Sequence, residues 1–182
     1  MTVCAAKVEF RAQSLLALLQ VYGVDVGYGQ VAERVRTHDR ATILERTNLR
    51  TLSPEALGGA KVSLITLDLS FISVLKVLPA ICAVSAPHAD AVVLIKPQFE
   101  AGLGGVGKGG VVRDASVHES VIARVTEGFM ACGWRQRGVT ESPVRGAKGG
   151  NQEFLAHFSR VEDKSGVNLH VDLQQLLEAP NQ

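Results

Sequence analysis

The run Ala91-Val-Val-Leu-Ile95 ends on Lys96 and Pro97, and a loop dense in glycine follows, from Gly102 to Gly110. Apolar residues without polar alternation fit a strand covered on both faces, and such strands belong to parallel sheets flanked by helices. Proline stops the run because it has no N–H to give the ladder. The stretch therefore delivers Lys96 to the carboxyl edge of a sheet, where open α/β folds bind their ligands.

Other segments repeat this layout. Residues 21–26 read as a strand presenting Asp25, followed by Gly27-Tyr-Gly-Gln30 and a helix through about His38. Residues 42–47 form the next strand, with Asn48 just after it, and residues 62–69 form another nearly all-apolar strand presenting Asp68. From Ser70 to about Ser85 the spacing of Ile72, Leu75, Leu78 and Ile81 is helical, interrupted by Pro79. An amphipathic helix follows over residues 116 to about 132, carrying Val117, Val121, Val125 and Phe129 and capped by Asp114 or Ser116. Residues 134–144 read as a strand, 146–151 as a turn and 153–158 as a last strand.

Strands alternating with helices predict an α/β, doubly wound, Rossmann-like sheet with mainly parallel strands. The final two strands are joined without a helix, so the last should be antiparallel. An antiparallel strand begins where its parallel neighbours end. Topology alone should thus gather Asp68, Lys96 and Glu153 at one edge.

Residues 1–20 form a divergent amino-terminal segment, 21–160 the main domain and 161–182 a polar tail with a helix-capable stretch over 171–178. Within the first segment residues 2–8 fit a short strand and 12–20 a helix, with no glycine between them. At 182 residues and 46% hydrophobic, the chain has enough material for one sizeable core. A net charge of +1 gives no global sign of nucleic-acid affinity. RNA contact would need a local patch, for which Arg113, Arg135, Arg137, Arg145 and Lys148 are the candidates.

Cys4, Cys82 and Cys132 are odd in number and widely spaced, which supports neither a disulfide framework nor a zinc site and fits a reducing compartment. The five histidines show no ligand spacing, and no apolar run reaches membrane-spanning length. Gly102 to Lys108 fits the first seven positions of a phosphate-binding P-loop, but Gly109 stands where a hydroxyl must meet magnesium. The loop reads instead as a surface loop or a flap over a substrate. Asp25, at the tip of a second strand, is placed to accept the ribose hydroxyls of a bound adenosine or simply to cap its own turn.

Taken together, Val24-Asp-Val-Gly-Tyr-Gly-Gln30, Leu44-Glu-Arg-Thr-Asn48, Asp68-Leu-Ser-Phe-Ile-Ser73, Leu94-Ile-Lys-Pro-Gln-Phe-Glu100, Val106-Gly-Lys-Gly-Gly-Val-Val-Arg-Asp114, Ser142-Pro-Val-Arg-Gly146 and Gly150-Asn-Gln-Glu-Phe-Leu155 resemble the FtsJ-like methyltransferase domain of the TlyA haemolysin/ribosomal RNA methyltransferase family. The resemblance covers about residues 21–158. It implies S-adenosylmethionine as cofactor and methylation of a ribose 2'-hydroxyl, with ribosomal RNA or a ribosomal subunit as partner. It further implies a Lys-Asp-Lys-Glu tetrad, of which Asp68, Lys96 and Glu153 match three members. Asp25, Asn48 and Asp68 match cofactor-binding positions, and Arg113, Arg145 and Lys148 are the substrate RNA candidates.

No metal or membrane role follows from the resemblance, and the location it implies is the cytoplasm or an organelle such as the plastid. The family's RNA-binding domain, the first tetrad lysine and the glycine loop of the cofactor site are not readable in residues 1–20. The expectation is a sheet whose first strand and glycine loop are missing or replaced, as in a fragment or a divergent product, and weak cofactor binding. The alternative function is a catalytically inactive scaffold that binds RNA or protein.

Overall fold

The structure is a computed structural model that describes residues 2–5, 20–107, 109–146 and 150–161. Its centre is a seven-stranded sheet. The strands are β1 (Thr2–Ala5), β2 (Val21–Val24), β3 (Ala41–Leu44), β4 (Val62–Leu67), β5 (Ser85–Ile95), β6 (Trp134–Glu141) and β7 (Phe154–Arg160), in the order β3-β2-β1-β4-β5-β7-β6. β7 is antiparallel to both of its neighbours, and the pairs among β1 to β5 are parallel. The predicted doubly wound sheet with an antiparallel last strand is the observed one.

The centre of the sheet is occupied. β1 pairs with β2 through Thr2↔Val21 and with β4 from Thr2↔Leu64 to Ala5↔Leu67. Of the two expectations, a missing first strand or a replaced one, the second holds. The loop and helix expected after β1 lie outside the described residues, as do Lys108, Lys148 and the segment 171–178.

Helices are shorter than their sequence patterns. The helix expected after Gln30 through about His38 is one turn, α1 (Glu33–Arg36), and the pattern from Ser70 to Ser85 yields a 3-10 turn Val74–Lys76 and α2 (Leu78–Val84). Pro79 falls in the first turn of α2, where a missing N–H is harmless. Beyond β5 come α3 (Pro97–Glu100), a helical turn at Gly102–Gly105, and α4 (Ala115–Ala131). Asp114 caps α4 by accepting from Ser116 N at 2.9 Å.

The core lies between α4, the Val74–Lys76 turn, α2 and the middle of the sheet. Val121, Val125 and Phe129 of α4 are buried there, and Phe129 stacks on Phe158 of β7 with centroids 4.1 Å apart. Val21, Val31 and Val35 form a separate small cluster under β2 and α1. Cys82 and Cys132 are free thiols, and no helix among the described residues is long and apolar enough to cross a membrane.

Candidate active site at the carboxyl edge

The five parallel strands β1 to β5 end at one rim, and three of them present Asp25, Asp68 and Lys96 there. Asp68 follows the last residue of β4, and Lys96 follows the last residue of β5. The Lys96 stem bridges the gap between the strands, putting Nζ 2.5 Å from Asp68 Oδ1 and within 3.2 Å of Ser70 Oγ. β5 and β7 pair as far as Ile95↔Phe154, so Lys96 and Glu153 stand side by side just past the last rung. Glu153 is only 7% exposed, and its Oε1 accepts from Gln98 Nε2 at 3.0 Å.

The turn α3 organises this rim, because successive side chains of Lys96-Pro-Gln-Phe-Glu100 grip different neighbours. Lys96 holds Asp68, Gln98 holds Glu153, and the Phe99 ring meets Phe71 with centroids 5.1 Å apart. Glu100 accepts from Ser73 Oγ at 2.7 Å and from Val74 N at 2.8 Å, and Arg124 of α4 donates to its backbone oxygen. Burial pushes the Glu100 carboxyl above its usual range, while the bonds from Ser73 and Val74 and the charge of Arg124 oppose that shift.

Between these grips Phe71 adopts φ +66° and leaves its ring 87% exposed. A bulky residue in the left-handed region is strained, and such strain persists where the surroundings over-determine it. Here the flanking Ser70 and Ser73 are tied to Lys96 and Glu100 respectively.

The glycine loop is fastened as well. Asn151, 2% exposed, accepts from Val112 N at 2.9 Å through Oδ1 and donates from Nδ2 to Gly110 O at 3.0 Å, while its backbone oxygen accepts from Gly146 N. One side chain thus joins the loop after α3 to the turn before β7, and brings the backbones next to Arg113 and Arg145 together. Both arginines are exposed, and Arg145 Nη1 donates to Gly150 O at 3.3 Å.

The basic patch expected from sequence divides. Arg135 pairs in register with Ser159, five positions along β7 from Phe154, so it lies about 17 Å from the rim at roughly 3.3 Å per residue. Arg137 donates to Ser159 Oγ at 2.5 Å. Neither belongs to the site.

At the other end of the rim, Asp25 Oδ1 accepts from Gly27 N at 2.7 Å, which is the turn-capping geometry. Exposed Val26 follows it, giving an apolar surface beside a carboxylate. Asn48 Oδ1 accepts from Arg50 N at 3.0 Å and caps a short turn, leaving its amide N–H groups as the donors it has to offer. An acid, an apolar contact and an amide in a row along the rim fit an adenosine-bearing cofactor.

A family model for FtsJ-like methyltransferases matches residues 2–160. The chain belongs to that family. The 16S/23S rRNA (cytidine-2'-O)-methyltransferase TlyA of Mycobacterium tuberculosis is 47% identical over 135 residues, covering 74% of this chain and 50% of that protein. Hemolysin A of Brachyspira hyodysenteriae is 38% identical, covering 76% of this chain and 58% of its own length. The chain spans about half the length of the curated relatives it matches.

Among solved structures, a Streptococcus thermophilus protein with a provisional hemolysin name superposes with a TM-score of 0.82 at 31% identity, over 97% of this chain and 66% of its own. A more distant likeness shows the fold alone. It is to a 16S rRNA (adenine(1408)-N(1))-methyltransferase of Catenulisporales acidiphilia solved with SAM, with a TM-score of 0.59 at 16% identity over 91% of this chain and 88% of that one. Within the FtsJ-like family reading, Asp68, Lys96 and Glu153 are the sequence-predicted residues that the fold draws to one edge. Gln98, Phe71 and Asn151 went unnoticed individually in the sequence. The nearest signal for Gln98 and Glu100 was their place two and four residues after Lys96 in a segment already shared with the family.

Proposed function

We propose that this chain is an S-adenosylmethionine-dependent methyltransferase domain acting on a ribose 2'-hydroxyl of ribosomal RNA. The observation that carries the reading is the Asp68–Lys96 ion pair with Glu153 beside it at the carboxyl rim, in a family whose relatives include rRNA 2'-O-methyltransferases. Asp25, Asn48 and Asp68 would hold the cofactor, which when bound supplies an electrophilic methyl group on a sulfonium. The remaining demands are alignment of the attacking oxygen and management of its proton. Lys96, fixed by Asp68 and Ser70, orients and polarises the hydroxyl, and acts as base only with the cofactor bound, where it would have to stand as the neutral amine to take the hydroxyl proton at Nζ. Arg113, Arg145 and Lys148 contact the RNA backbone, where guanidinium and ammonium groups neutralise phosphates.

The test is transfer of labelled methyl groups from S-adenosylmethionine to purified ribosomal subunits, alongside calorimetric titration of the cofactor. Lys96→Met should lower kcat by about 100-fold or more, the range for removing a positioned acid or base. Substantial transfer by Lys96→Met would refute the assignment.

A further inference from the structure

One grip within α3 is made at a disadvantage. Gln98 donates from Nε2 to Glu153, while its own Oε1 is buried and accepts no hydrogen bond among the described residues. The ionised carboxylate dictates this orientation, since a flipped amide would set its carbonyl oxygen against Glu153 Oε1. A buried acceptor without a donor destabilises a fold. An apolar side chain of similar volume would relieve that acceptor but take the donor from Glu153, so what the glutamine answers to is the carboxylate and not packing alone.

We propose that Gln98 is a positioning residue for methyl transfer, kept despite its own unpaired acceptor because it fixes the Glu153 carboxylate at the rim that also carries Lys96. This rests on the proposed function of the same site. Its geometric support is independent of the cofactor. Lys96 and Gln98 share one helical turn, and Glu153 sits beside Lys96 past the Ile95↔Phe154 rung, so a single short element sets both groups. The opposite flank of the carboxylate is closed by backbone. A Cβ placed on Gly146 would come within 2.9 Å of Glu153 Oε1, so the glycine leaves just enough room for the acid in this pose. Gln98 supplies the directional contact that selects it.

The full chain carrying Gln98→Met tests this with three measurements. Gln98→Met takes the amide donor from the buried Glu153 carboxylate, so the thermal midpoint should fall in the wild-type background and much less in a Glu153→Ala background; an equal fall in both would mean an ordinary structural glutamine and overturn the proposal. In spectra of ¹⁵N-labelled protein, the side-chain amide pair that disappears in Gln98→Met should, in Glu153→Ala, move towards the shift and exchange rate of a free glutamine amide. An unmoved signal overturns the grip on Glu153. In methyl transfer to ribosomal subunits, kcat should fall about 10-fold or more with KM for the subunit unchanged, and a raised KM at constant kcat counts against positioning. The first two readouts need no turnover, so a wild-type chain without transfer would sink the proposed function while the Gln98 grip is still judged on its own.

Discussion

Glu100 makes the strongest demand on any single side chain of the rim. Its residue is 3% exposed, its carboxylate takes two hydrogen bonds from the Ser73–Val74 loop, and Arg124 approaches Oε2 at 3.9 Å. Glu100→Ala should lower stability by about 1–3 kcal/mol, since it strands the buried Val74 N–H that the carboxylate had paired. Glu100→Gln preserves shape and should be milder. Because burial raises the folded carboxyl above its unfolded value, the folded state binds the proton more tightly. The stability it contributes is therefore full below the unfolded carboxyl pKa and is lost as pH rises through the folded one. Denaturation series should show wild type losing ground to Glu100→Gln as pH climbs from about 4.5, with a flat difference contradicting the sign.

Asp68, Lys96 and Glu153 could be located from sequence because each is the first or last polar residue of an apolar run, and strand direction settles which edge it reaches. Gln98, Glu100 and Asn151 could not, because what they hold lies 26 to 55 residues away in loops whose meeting is a property of the assembled sheet.

Among the elements, α4 shows where local preference and tertiary fit collide. Gly128 lies in the buried stripe of that helix, and a Cβ there would stand 2.3 Å from Leu75 Cδ2. Alanine gains roughly 0.8–1.0 kcal/mol in helix propensity over glycine, but forcing a methyl into a filled core costs about 1–3 kcal/mol. Leu75 is itself buried, so the overpacking should win. Gly128→Ala should lower the urea midpoint, and a gain in stability would show that Leu75 can repack. The strand β5 illustrates the converse for sequence reading. It starts at Ser85, six residues before the apolar run, because Pro87-His88-Ala89, with the composition of a turn, is carried within the strand across a register shift between the Val62↔Ser85 and Leu64↔Asp90 rungs. Composition reported a breaker, and neighbouring strands overrode it.

For the whole molecule, the decisive feature is that Thr2–Ala5 is an inner strand of the sheet and not an edge. β1 ties the β3-β2 half to β4-β5-β7-β6, and the small core under β2 is separate from the main one. Deleting residues 1–20 should therefore abolish a single cooperative unfolding transition, as followed by circular dichroism. A truncated chain that still melts cooperatively near the wild-type temperature would show the two halves pairing without it. Sequence could place strands in order but not rank the amino-terminal one, whose short run carries no signature of a central position.

The position of β7 bears on how such a chain comes off the ribosome. The last of the described strands in sequence lies between β5 and β6, which are hydrogen-bonded to it and not to each other, and it is the strand that brings Glu153. A nascent polypeptide released before residue 160 would leave two raw edges facing a vacant lane, a state prone to sticking to other chains. The proposed site acid and the closing of both sheet edges would thus arrive with the same strand.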